Sequence, residues 1–431
     1  MDVRKTALSI LRDAEQKEKY VALTLSAALE NISADERDRA LLTTLVYGVT
    51  ERRVTLDYYI AALSDRPLEK IGARLLMTLR LGIYQLMFLD RIPAHAAVSE
   101  TVRLGKSQGE RAFLNGILRS YIKKKDSIEL PSDTCERLSV KYSFPTATVR
   151  LMQKNLGEKT EDVLAALSIQ PPMTICVNTL VHSREVAYQK LLAAGFRAEC
   201  GDAPRAIKIF GNVSYRELCE VLSDSGFFVQ DEASQIAISV LAPKKNEVGA
   251  DVCACPGSKS FHASLFMENT GAITSFDIHK SKLSLIDDGA LKLGITNITA
   301  CENDSRFARD ELVGKCDFVI CDVPCTGLGV MAKKPEIRYH GADSYKELAP
   351  LGYEILTSAA TYLKSGGRLL YSTCTLTKEE NEDNFYRFLD SHSDFEYCDF
   401  SLGDVTSKNG TATLLPNGKR DGFFIGLLRK K

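Results

Sequence analysis

The sequence predicts a multidomain protein, with an all-α N-terminal domain, a small α+β linker domain and a C-terminal α/β domain. At 431 residues the chain is too long for one ordinary hydrophobic core. Its first 125 residues repeat apolar side chains at helical spacing, whereas strands and helices alternate after Asp231 as they do around a parallel sheet. We place the domains at residues 1–130, 131–230 and 231–431.

The N-terminal domain shows several helix starts and stops. Ser33-Ala34-Asp35-Glu36 predicts a capping box, in which side chains satisfy the free N–H groups of a helix start. Gly48 predicts the end of the helix that follows. A second helix is predicted over residues 68–89, and Pro93 separates it from a third that starts near Ala96.

Composition restricts the class of protein. Residues 1–125 contain 21 Lys and Arg against 15 Asp and Glu, which favours contact with a polyanion, although charge scatter between domains explains the difference equally well. The 12 cysteines include no paired CxxC units, so we expect no disulfide scaffold, no metal and a cytoplasmic location. No apolar run of about eighteen residues occurs, so no membrane span is expected. Nothing in the sequence demands more than a monomer.

The other two domains combine strands and helices. In the middle domain we predict strands over 174–178 and 206–210 and helices over 184–194 and 215–224. In the C-terminal domain we predict strands over 248–254, 272–277, 298–300, 318–322, 368–372 and 422–428, with helices such as 280–293 and 345–363 between them. Doubly wound sheets bind ligands at the carboxyl ends of their strands, so residues that directly follow these strands are the candidate site.

Candidate cofactor-binding residues follow the first four of these strands. The first strand runs into a sharp turn made of Cys253, Ala254, Cys255, Pro256, Gly257, Ser258 and Lys259. Asp277 ends the second strand, where a carboxylate can accept hydrogen bonds from ribose hydroxyls. Asp304 follows the third strand and Asp322 ends the fourth. A strand–turn–helix occurs in any α/β protein, but this row of acids suits a nucleoside that carries a positive sulfonium.

Two cysteines, Cys325 and Cys374, follow strands at the same edge. A thiolate that adds to carbon 6 of cytosine makes carbon 5 nucleophilic enough to accept a methyl group. Asp322 is placed to stabilise the charge that develops on the ring, and Lys259 either favours the thiolate or holds a phosphate. A lone cysteine after a strand is usually packing, and the residues alone leave open which of the two is the nucleophile.

Several sequence blocks resemble a known family. CACPGSK, FDIHKSKL, FVICDVPCTGLGV and LLYSTCTLTKEENE are similar to the Sun family of RNA 5-methylcytosine methyltransferases, whose catalytic domain is a Rossmann-like class I methyltransferase fold. LGIYQLMFLDRIPAHAAVSETV is similar to the NusB-like RNA-binding domain fused to the branch that methylates 16S rRNA. One departure is Ser258, which stands where the family has glycine.

The resemblance implies a reaction and roles for these residues. S-adenosyl-L-methionine is the implied cofactor, bound by residues 253–259 with Asp277, Asp304 and Asp322. RNA, and 16S rRNA in particular, is the implied partner. Cys374 is the implied nucleophile and Cys325 assists product release. Two alternatives remain: the same chemistry on tRNA, and a non-catalytic RNA-binding or ribosome assembly factor.

Overall fold

A computed structural model describes residues 2–16, 21–31, 35–339 and 341–431. The chain forms two compact units, one of Met1–Leu164 with Lys334–Ala342 and the other of Ala165–Lys333 with Asp343–Lys431. A helical N-terminal region, a small mixed domain and a C-terminal parallel sheet confirm the predicted fold class. The domain limits at residues 130 and 230 stay predictions. Within the described ranges, no helix is long and apolar enough to cross a membrane.

The described part of the first unit is helical. Its apolar faces enclose one core to which Leu42, Leu45 and Leu79 contribute fully buried side chains. The helices are α1 (Val3–Gln16), α2 (Val21–Asn31), α3 (Glu36–Glu51), α4 (Arg53–Leu63), α5 (Ala73–Phe88), α6 (Ala94–Arg103), α7 (Gln108–Lys124), α8 (Thr134–Tyr142), α9 (Thr146–Leu156) and α10 (Thr160–Ala166). The last two residues of α10 belong to the second unit.

Two predicted helix boundaries in this unit are wrong. Helix α3 continues past Gly48 to Glu51, and the glycine serves packing rather than termination, since a Cβ at Gly48 would lie 2.0 Å from the Tyr84 ring. The helix predicted over 68–89 is a 3₁₀ turn followed by α5, because Gly72 has an extended backbone (ψ 136°).

The cap of α3 differs from the expected capping box. Asp35 is the N-cap residue, and its Oδ1 accepts a hydrogen bond from the Asp38 N–H at 2.8 Å. The expected cap residue Ser33 and its neighbour Ala34 lie outside the described residues. The start of the helix is therefore fixed by an aspartate that the sequence pattern included but to which it gave no role.

Residues Lys334–Ala342 belong to the helical unit although the sequence on both sides belongs to the other unit. Arg338 anchors this segment, because its guanidinium is fully buried. It donates hydrogen bonds at 3.1 to 3.3 Å to the main-chain carbonyls of Glu51, Tyr142 and Ser143. Burial lowers the pKa of Arg338 to about 10, against the opposing charge of Glu51.

The second unit begins with a small α+β domain. Its antiparallel sheet has the strand order β2-β3-β1-β4 and packs against two helices through apolar residues such as Ile175 and Leu218. Its elements are β1 (Met173–Val177), α11 (Arg184–Ala193), β2 (Arg197–Cys200), β3 (Ala206–Phe210), α12 (Tyr215–Leu222) and β4 (Phe227–Val229).

A larger, mostly parallel sheet follows, with the strand order β10-β14-β9-β8-β5-β6-β7. Strand β14 is antiparallel to β9, and β13 pairs with β14. The elements are α13 (Glu232–Leu241), β5 (Val248–Asp251), α14 (Ser258–Phe266), β6 (Ala272–Asp277), α15 (Leu283–Leu293), β7 (Ile298–Glu302), β8 (Cys316–Asp322), α16 (Tyr345–Ala360), β9 (Leu363–Thr373), α17 (Glu382–Ser391), β10 (Phe395–Tyr397), β11 (Ser401–Leu402), β12 (Val405–Thr406), β13 (Thr411–Leu414) and β14 (Phe423–Lys430).

The order of the strands locates the ligand-binding edge. From β5 the chain proceeds through β6 and β7 on one side, and then returns to place β8 and β9 on the other side. A crevice forms at the carboxyl ends of strands where the order reverses in this way. Strand β5 ends at Asp251 rather than at the predicted Ala254, so residues 252–257 form the turn at that crevice.

Candidate active site

The turn after β5 depends on a glycine. Gly257 has a φ of +110°, and its N–H donates to the Ala254 carbonyl at 2.7 Å. A Cβ at Gly257 would lie 2.5 Å from the Phe261 ring, so a side chain is excluded by both backbone conformation and space. Helix α14 begins at the next residue, Ser258, and its free N–H groups therefore lie at the carboxyl edge of the sheet.

Asp277 and Asp304 extend this edge. The Oδ1 of Asp277 accepts the His279 N–H at 2.8 Å, and the Asp277 side chain is half-buried. Asp304 forms an ion pair with Arg306 at 2.6 Å, and this hydrogen-bonded pair lowers the pKa of the Asp304 carboxyl. Both carboxyl groups are therefore held in fixed positions by neighbours in their own loops.

The acids at the strand ends converge on one thiol. Burial raises the pKa of Cys253, and the negative charges of four aspartates raise it further: Asp251, Asp322, Asp277 and Asp304. Three of these were predicted as site residues, and the structure brings them together as expected from the strand order. Asp251 was missed. It is fully buried, accepts a hydrogen bond from Ser260 at 2.7 Å and has a pKa raised to about 6 by burial.

Asp322 and Lys259 form an ion pair within this site. Lys259 Nζ donates to Asp322 Oδ2 at 2.5 Å, and the Ser372 hydroxyl donates to Asp322 Oδ1 at 2.7 Å. Burial alone would lower the pKa of Lys259, but the charge of Asp322, supported by Asp251 and Cys374, raises it. The ammonium group is therefore held by the Asp322 carboxylate and also interacts electrostatically with the Cys374 sulfur.

The two candidate cysteines are in direct contact. Cys325 Sγ and Cys374 Sγ lie 3.3 Å apart, and both side chains are half-buried. A hydrogen bond that the Cys325 thiol donates to Cys374 raises the pKa of Cys325 well above its usual value, and burial, Glu380 and Asp322 act in the same direction. The structure thus confirms that the two cysteines meet and gives them different surroundings.

A buried carboxyl group beside this thiol pair was not predicted. Glu380 is 2% exposed and accepts hydrogen bonds from Thr326, the residue after Cys325, at 2.7 and 2.8 Å. Nothing in the LTKEENE segment distinguishes Glu380 from its acidic neighbours. The only available signal was the position of this segment shortly after Cys374.

Four other cysteines and one histidine of this domain lie in or near the sheet. Cys321 is fully buried, whereas Cys253, Cys255 and Cys301 are half-buried near the edge of the sheet. His262 lies on α14 and is fully buried, and neither of its ring nitrogens has a hydrogen-bond partner. Within the described part of the chain, no three His, Cys, Asp or Glu side chains are grouped to hold a metal ion.

A doubly wound sheet with an acidic crevice and a thiol pair at its carboxyl edge is a Rossmann-like methyltransferase domain. Family profiles match three stretches: the 16S rRNA methyltransferase RsmB/F over residues 238–429, the NusB family over 1–123, and the ferredoxin-like domain of RsmF/B-like methyltransferases over 144–216.

Relatives match the whole chain. A Bacillus subtilis protein named probable ribosomal RNA small subunit methyltransferase B is 33% identical and covers 100% of this chain and 99% of its own. A protein of the same name from Synechocystis is 33% identical over 100% of both chains. A crystal structure described as PH0851 has a TM-score of 0.84 at 27% identity, covering 100% of this chain and 98% of its own. The chain belongs to the RsmB/F family of 16S rRNA methyltransferases.

Proposed function

We propose that this chain transfers a methyl group from S-adenosylmethionine to carbon 5 of a cytosine in 16S rRNA. The observation that carries the proposal is the contact between Cys325 and Cys374, 3.3 Å apart, beside the ion pair of Lys259 and Asp322. Methyl transfer to an exocyclic amino nitrogen needs no thiol, whereas methyl transfer to carbon 5 of the cytosine ring needs covalent activation of the ring. The names of the Bacillus and Synechocystis relatives support small-subunit rRNA as the substrate.

The residues at the crevice fit the cofactor. Asp277 and Asp304 supply carboxylate acceptors for ribose hydroxyls, and Gly257 lets the backbone approach closely. Ile278, next to Asp277, is 54% exposed and offers an apolar surface for the adenine ring. The negative charges around Cys253 complement a sulfonium. When bound, S-adenosylmethionine supplies the methyl group as an electrophile.

Cys374 is the nucleophile in this mechanism. Its sulfur interacts with the Lys259 ammonium, which favours the thiolate. The thiolate adds to carbon 6 of the cytosine and makes carbon 5 nucleophilic. Asp322, held by Lys259 and Ser372, faces the charge that develops on the ring at N3.

Cys325 acts after methyl transfer. The proton on carbon 5 must leave before the bond between carbon 6 and the Cys374 sulfur can break. Cys325 is the group in contact with Cys374, and we assign it as the base for this proton. Once Cys374 is bonded to carbon 6, its negative charge no longer opposes ionisation of Cys325, so Cys325 loses its own proton to solvent and its thiolate then accepts the proton from carbon 5. Release regenerates the Cys374 thiolate and leaves 5-methylcytosine in the RNA.

The other domains are assigned to RNA. The N-terminal part carries a surplus of basic residues, 21 against 15 acidic ones in residues 1–125, and it matches the NusB family. We propose that residues 1–130 and the small domain within 131–230 hold the RNA while residues 231–431 carry out methyl transfer.

The test is methyl transfer from labelled S-adenosylmethionine to unmodified 16S rRNA, 23S rRNA and tRNA, followed by nucleoside digestion. We expect label in 5-methylcytosine from 16S rRNA. Label in tRNA alone would retain the mechanism and change the substrate. The absence of both label and cofactor binding would leave a non-catalytic RNA-binding factor.

Variants of the two cysteines test their roles. Cys374→Ala removes the nucleophile, so neither methylation nor a covalent protein–RNA adduct is expected. Cys325→Ala retains addition and methyl transfer but impairs release, so an adduct that survives denaturing electrophoresis is expected to accumulate. An adduct with Cys374→Ala and none with Cys325→Ala would reverse the assignment.

A further inference from the structure

Glu380 lies between β9 and α17 and has no part in the mechanism above. Its side chain is buried, and both carboxylate oxygens accept hydrogen bonds. Oε1 accepts the Thr326 N–H at 2.8 Å, while Oε2 accepts the hydroxyl groups of Thr326 at 2.7 Å and Thr377 at 2.5 Å. A buried carboxylate with this many donors is tightly fixed in position.

A chain of hydrogen bonds leads from Glu380 to both thiol-bearing segments. The hydroxyl groups of Thr326 and Thr375 lie 2.5 Å apart. A hydroxyl has one proton, and Thr326 donates its proton to the Glu380 carboxylate, so Thr375 must donate to Thr326. Thr326 directly follows Cys325, and Thr375 directly follows Cys374.

The sheet itself does not hold the two cysteines together. The parallel pairing of β8 with β9 ends at Asp322 and Ser372, with a final hydrogen bond from the Val323 N–H to the Ser372 carbonyl. Cys325 and Cys374 lie beyond that point. The separation of their sulfurs therefore depends on contacts within the two loops, which are the hydrogen bond from the Gly329 N–H to the Cys374 carbonyl at 2.9 Å and the contacts made by the residues next to each cysteine.

We propose that Glu380 is a positioning residue that holds Cys325 and Cys374 at the separation needed for addition and release. The inference rests on the proposed function, since the two thiols act in turn on adjacent carbons of one ring. A displacement of about 1 Å at such a site can reduce a rate 100-fold.

The charge of Glu380 has a second effect. It opposes ionisation of Cys325, whereas the Lys259 ammonium favours the thiolate of Cys374. Glu380 therefore also helps to select which of two touching thiols carries the negative charge when the cytosine arrives.

The test compares Glu380→Gln with Asp383→Asn, an exposed acidic residue in the first turn of α17. Glutamine has nearly the same shape but loses the charge and one acceptor. We expect kcat to fall about 10- to 100-fold with an unchanged KM for RNA, and a covalent adduct to accumulate because Cys325 no longer reaches the proton on carbon 5. Asp383→Asn should behave as the wild type.

Thr326 supplies the conservative pair. Thr326→Ser retains the hydroxyl and should retain turnover, whereas Thr326→Val should reproduce the adduct seen with Glu380→Gln. If Glu380→Gln does not fold, these two Thr326 variants still test whether the hydrogen bonds to Glu380 position Cys325. Wild-type kcat in both Glu380→Gln and Thr326→Val, or a loss of kcat without any adduct, would overturn the proposal.

A readout without RNA separates this inference from the proposed function. Iodoacetamide labelling followed by mass spectrometry gives the ratio of alkylation rates at Cys374 and Cys325. Glu380→Gln should lower that ratio about threefold or more, because Cys325 becomes easier to ionise. An unchanged ratio contradicts the inference even if methylation is observed, whereas a wild-type protein that labels no RNA contradicts the proposed function alone.

Discussion

Cys325 Sγ and Cys374 Sγ lie 3.3 Å apart, although 49 residues separate them in the sequence. At this distance one thiol donates to the other, so a single proton is shared when one of them ionises. The contact therefore allows one cysteine to be a nucleophile only while the other remains a thiol. It also makes the pair chemically vulnerable.

Mild oxidation should join the two thiols. A disulfide bond needs sulfurs about 2.05 Å apart, so from their 3.3 Å contact the two sulfurs need to approach each other by only about 1.3 Å. Diamide accepts the two electrons and two protons that the thiols lose, and methylation activity should disappear and return with dithiothreitol. Peptide mass spectrometry without reduction identifies the linked cysteines. Cys200, which is exposed, is the control: protection by Cys200→Ser would contradict the prediction.

Lys259→Met should reduce methyl transfer about 100- to 1,000-fold, in line with the loss of one charged group from a preorganised site. The variant removes the cation that interacts electrostatically with Cys374 and leaves Asp322 without its ion-pair partner. The remaining activity should need a higher pH, because the thiolate is no longer favoured. Single-turnover rates across pH measure both effects. Lys245→Met changes an exposed ion pair with Glu268, and an equal loss there would contradict the assignment.

His262 should make the protein less stable in acid. Burial keeps the pKa of His262 well below its usual value, so the unfolded chain takes up a proton below about pH 6.5 that the folded protein does not. The free energy of unfolding should therefore fall as pH decreases, by up to about 1.4 kcal/mol per pH unit. Urea unfolding of wild type and His262→Phe measures the slope.

The control for this prediction is the exposed His279. His279→Phe should keep the acid sensitivity, whereas His262→Phe should lose most of it. If both variants retain the wild-type slope between about pH 5.5 and 6.5, a different group is responsible.

Gly329→Ala should disturb the loop that contains Cys325. A Cβ at Gly329 would lie 2.1 Å from the Gly422 carbonyl oxygen, and backbone cannot move aside as a flexible side chain can. We expect a loss of about 1–3 kcal/mol in the free energy of unfolding and a lower kcat. Chemical denaturation checks the first and methyl transfer the second.

A second glycine gives the matched comparison. Gly116 lies inside α7 with open space around its position, so Gly116→Ala should increase stability by about 0.5–1 kcal/mol. Equal destabilisation by both substitutions would contradict the role of the contact between Gly329 and Gly422.

The sequence predicts the architecture well because its signals are local. The apolar runs that predict strands end at Asp277 and Asp322, and in the structure both residues are the last of their strands. The predicted strand over 206–210 is reproduced as Ala206–Phe210. The location of Cys325 and Cys374 at one edge follows from parallel strands that end there, whereas the contact between their sulfurs depends on the loops beyond the strands.

Features that depend on side-chain packing were not predictable. The packing role of Gly48 in α3 depends on a ring from another helix, that of Tyr84. The role of Glu380 depends on a hydroxyl 54 residues earlier, that of Thr326. Neither relationship leaves a periodic or compositional signal, because each one joins residues that are distant along the chain.

The segment Lys334–Ala342 has a consequence for biosynthesis. A ribosome makes the first 164 residues of the helical unit early, but the remaining nine, including Arg338, emerge only after β5 to β8, four of the eight strands of the catalytic sheet, have been translated. Until then the carbonyls of Glu51, Tyr142 and Ser143 lack the guanidinium that satisfies them in the finished protein. The helical unit therefore cannot be completed until the first four strands of the catalytic sheet have been made, although the strands from β9 to β14 are translated later still.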